Sequence, residues 1–233
     1  MWSMLPSHPH VISFYGACKE VETNQLLLVL EYASGGSIVS MYQDFRPIPD
    51  HLFLRHAKGV ALGLKHLHDH NVIHGDVKAE NVLTRTDGSV AISDFGCSRL
   101  PTANSVVPSF TVRAHEAEGA PLFGTAAYMA PEVIMNESHC KSDVWAYACM
   151  LIYLWTGALP WSKVADHITC YDTIPLMFFI ANEEKIPFTE EELETVPRWL
   201  QKVAARAFVR DVANRCTMTE VLTLIAEYEP ITR

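Results

Sequence analysis

The chain reads as an α+β fold in which a two-strand remnant of a sheet, residues 1–32, precedes a helix-dominated lobe, residues 33–233. Three observations predict this. Two runs of strand-forming residues stand near the start, Val11 to Tyr15 and Gln25 to Tyr32. Apolar residues then recur at helical spacing along much of the remaining chain. Between the two regions Ala33, Ser34, Gly35, Gly36 and Ser37 form a short flexible connection, the natural internal boundary.

The strands are joined by a polar turn around Glu22, Thr23 and Asn24. Leu26, Leu27, Leu28, Val29 and Leu30 are apolar without alternation, so this strand is expected to be buried on both faces within a larger sheet. Further on, Asp50 is expected to cap a helix whose stripe of Phe53, Ala57, Val60, Leu64 and Leu67 runs to about His70. Short strands with a turn at Asp87 and Gly88 come next, then an irregular stretch from about Cys97 to Phe123. Four more helical patterns complete the chain: Ser142 to Thr156, Ile174 to Asn182, Arg198 to Phe208 and Met218 to Tyr228.

Composition narrows the function classes. The 49% of hydrophobic residues supply a core, and 18 basic against 27 acidic residues give a formal charge of −9. That charge repels nucleic-acid phosphates and anionic lipid, so neither is expected as a general partner. Six cysteines, Cys18, Cys97, Cys140, Cys149, Cys170 and Cys216, contain no CxxC pair, which fits a reducing compartment and a cytoplasmic protein. Met1 to Leu5 is short and has no basic flank followed by an apolar run, so a secretory signal is not expected. Val144 to Trp161 lacks charge, but Gly157 and Pro160 stop a helix near Thr156. Such a helix spans about 22 Å against a bilayer core of roughly 30 Å, so a buried core helix is expected.

One stretch carries chemistry: His74-Gly75-Asp76-Val77-Lys78-Ala79-Glu80-Asn81, succeeded by Asp94-Phe95-Gly96, Gly124-Thr125 and Ala130-Pro131-Glu132. In order and spacing the motifs resemble the catalytic loop, metal-binding motif and activation-segment end of protein kinases, over essentially the whole chain from Ser7 onward. The chemistry that this resemblance implies explains the residue types: phosphoryl transfer to a hydroxyl needs magnesium to neutralise phosphate oxygens, and a hard cation takes carboxylate and amide oxygens such as those of Asp94 and Asn81. A second carboxylate must orient the hydroxyl and accept its proton.

The resemblance implies a protein serine/threonine kinase using ATP and magnesium, with Asp76 as base, Asn81 and Asp94 on the metal, and Lys78 as the cation at the transferred phosphate. It implies that Thr125 contacts the catalytic loop and helps seat the substrate. It places the interlobe hinge at Glu31, Tyr32 and Ala33, with Leu30 guarding the pocket behind adenine, backbone of Glu31 and Ala33 bonding its edge, and Leu83 beneath its ring. Asp143 resembles the buried aspartate that anchors the catalytic loop. Glu132 and Arg215 resemble an ion pair tying the activation segment to the lobe; the alternative is a surface bridge worth under about 1 kcal/mol. His66, His68, His70 and His74 invite a zinc reading, but no cysteine or carboxylate completes a four-ligand set at helical spacing, and His68 and His74 match structural histidines of the kinase pattern.

Departures qualify the picture. No Gly-x-Gly-x-x-Gly loop, strand lysine or partner glutamate is found, so a fragment of a longer kinase is expected, the alternative being a short product without ATP chemistry. Gly75 stands where kinases of this pattern carry an arginine that pairs with a phosphorylated loop residue, which predicts weak dependence on such phosphorylation. Val212 and Cys216 replace common prolines, a fold-neutral change. His-Gly-Asp-Val-Lys, with the Gly-Thr-x-x-x-Met-Ala-Pro-Glu segment at 124 to 132, is similar to mitogen-activated protein kinase kinase kinases, the NF-kappa-B-inducing kinase pattern among them, implying protein substrates that are themselves kinases. The rival class is a non-catalytic binding module in which the helical lobe is a docking platform for a kinase partner; separately, a partner covering the exposed strand remnant is expected. Ser98, Thr102, Ser105, Ser109 and Thr111 mark the 94–132 segment as either a regulatory or a plain surface loop.

Overall fold

The computed structural model describes residues 5–22, 24–44, 47–100, 126–165, 167–168 and 173–228. Strands β1 (Phe14–Lys19) and β2 (Leu26–Leu30) pair antiparallel, with Phe14 opposite Leu30 and Lys19 opposite Leu26. Their turn includes Asn24 at φ 57°, a left-handed conformation that asparagine tolerates. The expected burial of β2 is wrong. Leu26 is 70% exposed and Leu28 53%, because among the described residues β1 and β2 pair only with each other and no layer covers either face.

Helix α1 (Ile38–Asp44), which has no counterpart among the expected elements, inserts Ile38 and Tyr42 into the core. Helix α2 (Asp50–Asp69) matches the expected range and buries its predicted stripe completely. Its cap differs: Pro49 precedes the helix, its carbonyl accepts from the Leu52 and Phe53 amides, and Asp50 is the first helical residue. There the carboxylate still favours the positive helix end. Strands β3 (Val82–Thr84) and β4 (Val90–Ile92) form the expected hairpin, with Gly88 at φ 74° in the turn.

This hairpin organises the site. On the β4 side the Ile12 amide bonds the Ile92 carbonyl at 2.9 Å and the Ile92 amide bonds His10 at 3.0 Å. On the β3 side Gly35 donates to Thr84 at 2.9 Å and Thr84 to Gly36 at 2.8 Å. The segments before β1 and after β2 are thus both laid on one small ladder. Helix α2 presses on it at Gly63, where a Cβ would sit 2.4 Å from the His10 carbonyl.

Helix α3 (Pro131–Ile134) leads to α4 (Cys140–Thr156), the buried centre of the lobe, which stops as expected, at Gly157 with φ 78°. The Tyr147 hydroxyl donates to the Ala57 carbonyl at 2.9 Å, tying α4 to α2. Around them lie α5 (Thr173–Asn182), α6 (Glu190–Thr195), α7 (Arg198–Ala207) and α8 (Met218–Ala226). Phe53 packs edge-on against Trp155 and near Trp199, ring centroids 5.1 and 5.6 Å away. No helix among the described residues is long and apolar enough to cross a membrane.

Candidate active site

The loop from His74 to Asn81 is held from below by α4. Asp143, 2% exposed in the first turn of α4, accepts from the His74 amide at 2.8 Å, the Gly75 amide at 2.9 Å and His68 Nε2 at 2.9 Å. Burial pushes its carboxyl upward, but the His68 bond, the neighbouring imidazoles and the Gly75 N–H together hold it below the ordinary carboxylate range. A buried carboxylate with three donors is an anchor, because losing it leaves those donors unsatisfied.

His74 connects the loop to β4. Its Nε2 donates to the Ser93 carbonyl at 3.0 Å while Nδ1 accepts from the Asp76 amide at 3.2 Å, so the proton sits on Nε2. The same ring meets Phe95 edge-on at 5.3 Å. Ser93 in turn donates its amide, at 2.8 Å, and its hydroxyl, at 2.9 Å, to the Asn81 carbonyl. Nothing in the motif marks Ser93; its only sequence signal is that it precedes Asp94.

Asp76, Lys78 and Asn81 come together directly. Asp76 is 6% exposed, and its Oδ2 accepts from Asn81 Nδ2 at 2.9 Å and lies 2.8 Å from Lys78 Nζ. Asn81 Nδ2 also donates to the Asp76 carbonyl at 2.8 Å. Both bonds use the amide nitrogen, which leaves Oδ1 as the acceptor of Asn81. Asp94 is exposed at φ 60°, strain of about 1–3 kcal/mol for a non-glycine residue, and its Oδ1 accepts from the Gly96 amide at 3.2 Å. It reaches the other three through Ser93.

The Glu132–Arg215 alternatives separate on burial: the side chains are 7% and 0% exposed, with a bidentate pair at 2.6 and 2.9 Å. The Ser142 hydroxyl also donates to Glu132, at 2.7 Å, and the guanidinium stacks 5.1 Å over Trp145. This is a buried pair at the base of α3.

In the segment expected to form the hinge, the Glu31 amide donates to the Ser13 carbonyl at 2.9 Å and its carboxylate accepts from the Ser13 amide and from Arg85. The Arg85 hydrogen bond outweighs desolvation and pulls the Glu31 pKa down to about 2. Leu30 is 36% exposed at the end of β2 and Ala33 is half-buried. Leu83, half-buried in β3, pairs with Ser37. The expected histidine group divides: His68 and His74 serve the loop, whereas His66 stacks on His8 at 4.6 Å and lies 4.5 Å from His70. Thr125, Gly124 and loop positions Thr102, Ser105, Ser109 and Thr111 lie outside the described residues.

A helical lobe carrying an anchored loop of aspartate, lysine and asparagine beside a hairpin that leads into a strained aspartate is the architecture of a protein kinase. The chain belongs to that family: the model described as protein kinase domain matches residues 1–224. It is 32% identical over 182 residues to mitogen-activated protein kinase kinase kinase ANP1 of Arabidopsis thaliana, covering 78% of this chain and 25% of that protein. Against YODA of the same plant, also a mitogen-activated protein kinase kinase kinase, identity is 31% over 222 residues, 92% of this chain and 22% of the relative. Mitogen-activated protein kinase kinase kinase A of Dictyostelium discoideum is 31% identical over 181 residues, 77% and 17%. The chain thus spans about a quarter of the first two relatives' length. By family it is a serine/threonine protein kinase.

Proposed function

We propose that this chain transfers the γ-phosphoryl group of ATP to serine or threonine hydroxyls of proteins, other protein kinases among them, within a signalling cascade. The observation that carries the reading is the buried Asp76 carboxylate, oriented by Asn81 and Lys78 in a loop fixed by Asp143. Its Oδ2 is engaged, so Oδ1 is the atom that accepts the proton of the incoming hydroxyl. Lys78 places a positive charge where negative charge develops.

The donor set fits magnesium, since Asn81 Oδ1 and the exposed Asp94 carboxylate are hard oxygen ligands. When bound, the metal nucleotide supplies the phosphoryl group and neutralises its charge. Leu30, the backbone of Glu31 and Ala33, and Leu83 line the adenine side, with the Glu31 carboxylate holding its segment to Arg85. Thr125 seats the substrate hydroxyl. Residues 1–32 act as the sheet-bearing part and 33–233 as the catalytic lobe. The described cysteines are free thiols, which supports a cytoplasmic setting.

A second reading, a kinase-like docking module, is favoured by the exposed face of Leu26 to Leu30, which a partner chain would cover. Calorimetric titration with ATP separates the two. Binding strengthened by magnesium, with the strengthening lost in Asp94→Ala, is expected; binding indifferent to both magnesium and Asp94 contradicts the catalytic reading.

A further inference from the structure

The chain passes between the strand pair and the helical lobe through residues 9–13, before β1, and through residues 31–35, after β2. Backbone bonds seat both crossings on the β3–β4 hairpin, and the Arg85 side chain joins them. Arg85 stands just past β3. Its Nη1 donates to the Pro9 carbonyl at 2.6 Å on the first crossing, while Nε and Nη2 donate to the two carboxylate oxygens of Glu31 on the second, the Nη2 bond at 3.1 Å. The turn holds Arg85 in place, its amide donating to the Ser89 carbonyl at 2.9 Å and its Nη1 to the Ser89 hydroxyl at 3.4 Å. The Arg85 and Glu31 side chains are 21% and 17% exposed, better shielded than a free surface bridge.

Glu31 passes the restraint on. Its Oε2 accepts from the Ser13 amide at 3.1 Å and its own amide donates to the Ser13 carbonyl at 2.9 Å. Those two bonds tie Glu31 to the other crossing; its direct tie to the lobe is the Arg85 fork. At the far end of the segment Gly35 is clamped on Thr84, its amide donating to the Thr84 carbonyl at 2.9 Å, and a Cβ there would lie 2.5 Å from Thr84 Oγ1. Only Tyr32, Ala33 and Ser34 separate the two anchored residues, and their anchors, Thr84 and Arg85, are adjacent in sequence. The Gly35 clamp is made by backbone, whereas the Glu31 tie needs a planar fork that meets both carboxylate oxygens and still reaches Pro9. A lysine ammonium, a single point charge, does not reproduce that geometry.

We propose that Arg85 is a positioning residue for the nucleotide: by bridging Pro9 and Glu31 it fixes the setting of residues 31–33 over β3, and with it the affinity for the adenine edge. The proposal rests on the reading of residues 31–33 as the hinge, with Leu83 beneath the ring. The Glu31 amide is taken by Ser13, so its carbonyl is the backbone group it offers adenine. Releasing Glu31 lets the segment adopt other settings, and affinity falls with the fraction of molecules in the competent one. The loop that carries Asp76 is anchored separately, by Asp143, so the effect falls on binding and not on transfer.

The test is calorimetric titration of the chain, Arg85→Ala and Arg85→Lys with adenosine and, separately, with magnesium ATP, each protein first shown to be folded by circular dichroism. Adenosine carries the adenine edge without phosphates. A change at the hinge therefore weakens both ligands by the same factor, whereas a change at the phosphate end weakens ATP alone. For Arg85→Ala we expect both affinities to fall about fivefold, and in phosphoryl transfer the KM for ATP to rise by a similar factor with kcat within about twofold. Arg85→Lys should recover only part of the loss. Equal adenosine affinity in the chain and Arg85→Ala, or a loss confined to ATP, overturns the proposal. Should Arg85→Ala fail to fold, Arg85→Lys decides: adenosine must bind about twofold or more weakly than to the chain, and unchanged binding refutes the bridge. An unaltered chain that binds no adenosine sinks the hinge reading and the proposal with it, whereas binding that ignores Arg85 sinks the proposal alone.

Discussion

Replacing Glu132 by glutamine leaves its shape and removes its charge. Arg215 then remains 0% exposed without a counter-ion, although its Nε still donates to Val209 at 2.8 Å and Nη1 to Lys141 at 3.1 Å. Removing one partner of a buried pair costs about 3–5 kcal/mol, and the surviving carbonyl bonds place Glu132→Gln near the lower end of that range. Arg215→Ala should cost at least as much, because it also strips the stacking on Trp145 and leaves the Glu132 carboxylate unpaired. The double variant should lose less than the sum of the singles, since each alone strands the other's charge. Urea denaturation of the four proteins gives all three quantities. A loss under about 1 kcal/mol for either single variant is the surface-bridge value and would refute the argument from burial.

Three other outcomes are expected from the structure. Glu31, with its pKa drawn from 4.5 to about 2, contributes stability that is complete above pH 4.5 and vanishes as pH falls toward 2. After allowance for solvent at this half-open pair it amounts to about 1–2 kcal/mol, and Arg85→Ala should flatten that part of an acid-denaturation profile. His8, lowered to about 4 by burial and by the neighbouring imidazoles of His66 and His10, acts in a higher window. The unfolded chain takes its proton near pH 6.5, so stability should decline by about 1–2 kcal/mol from there toward pH 4, a slope that His8→Phe removes and that a persistent slope would deny. Phosphatase treatment should leave phosphoryl transfer within about twofold, and its abolition would contradict the weak dependence that Gly75 predicts.

How much of this was legible in the sequence depended on range. Helix α2 announces itself by an apolar stripe repeated along its length and α4 by an uncharged, apolar run from Val144 onward, whereas α1, α3 and α6, of seven, four and six residues, are too short to establish a pattern. The Leu26–Leu30 run is a strand as its composition predicts and yet exposed, since hydrophobicity records what a strand prefers and not what neighbours it has. Asp76, Lys78 and Asn81 sit within six positions of one another, so spacing alone brings them together. Arg85 reaches Glu31 across 54 positions, a pairing no local pattern contains. Gly75 is visible in the sequence as a lost charge, and its closeness to Cys97 emerges only from the backbone.

The central claim is that Asp76 is the base of a working kinase centre. Transfer of labelled phosphate from magnesium ATP to a serine/threonine protein substrate, compared between the chain and Asp76→Asn, tests it most directly. The account predicts measurable transfer that drops about a hundredfold or more in the variant. Equal transfer by the two proteins, or none from either, contradicts it.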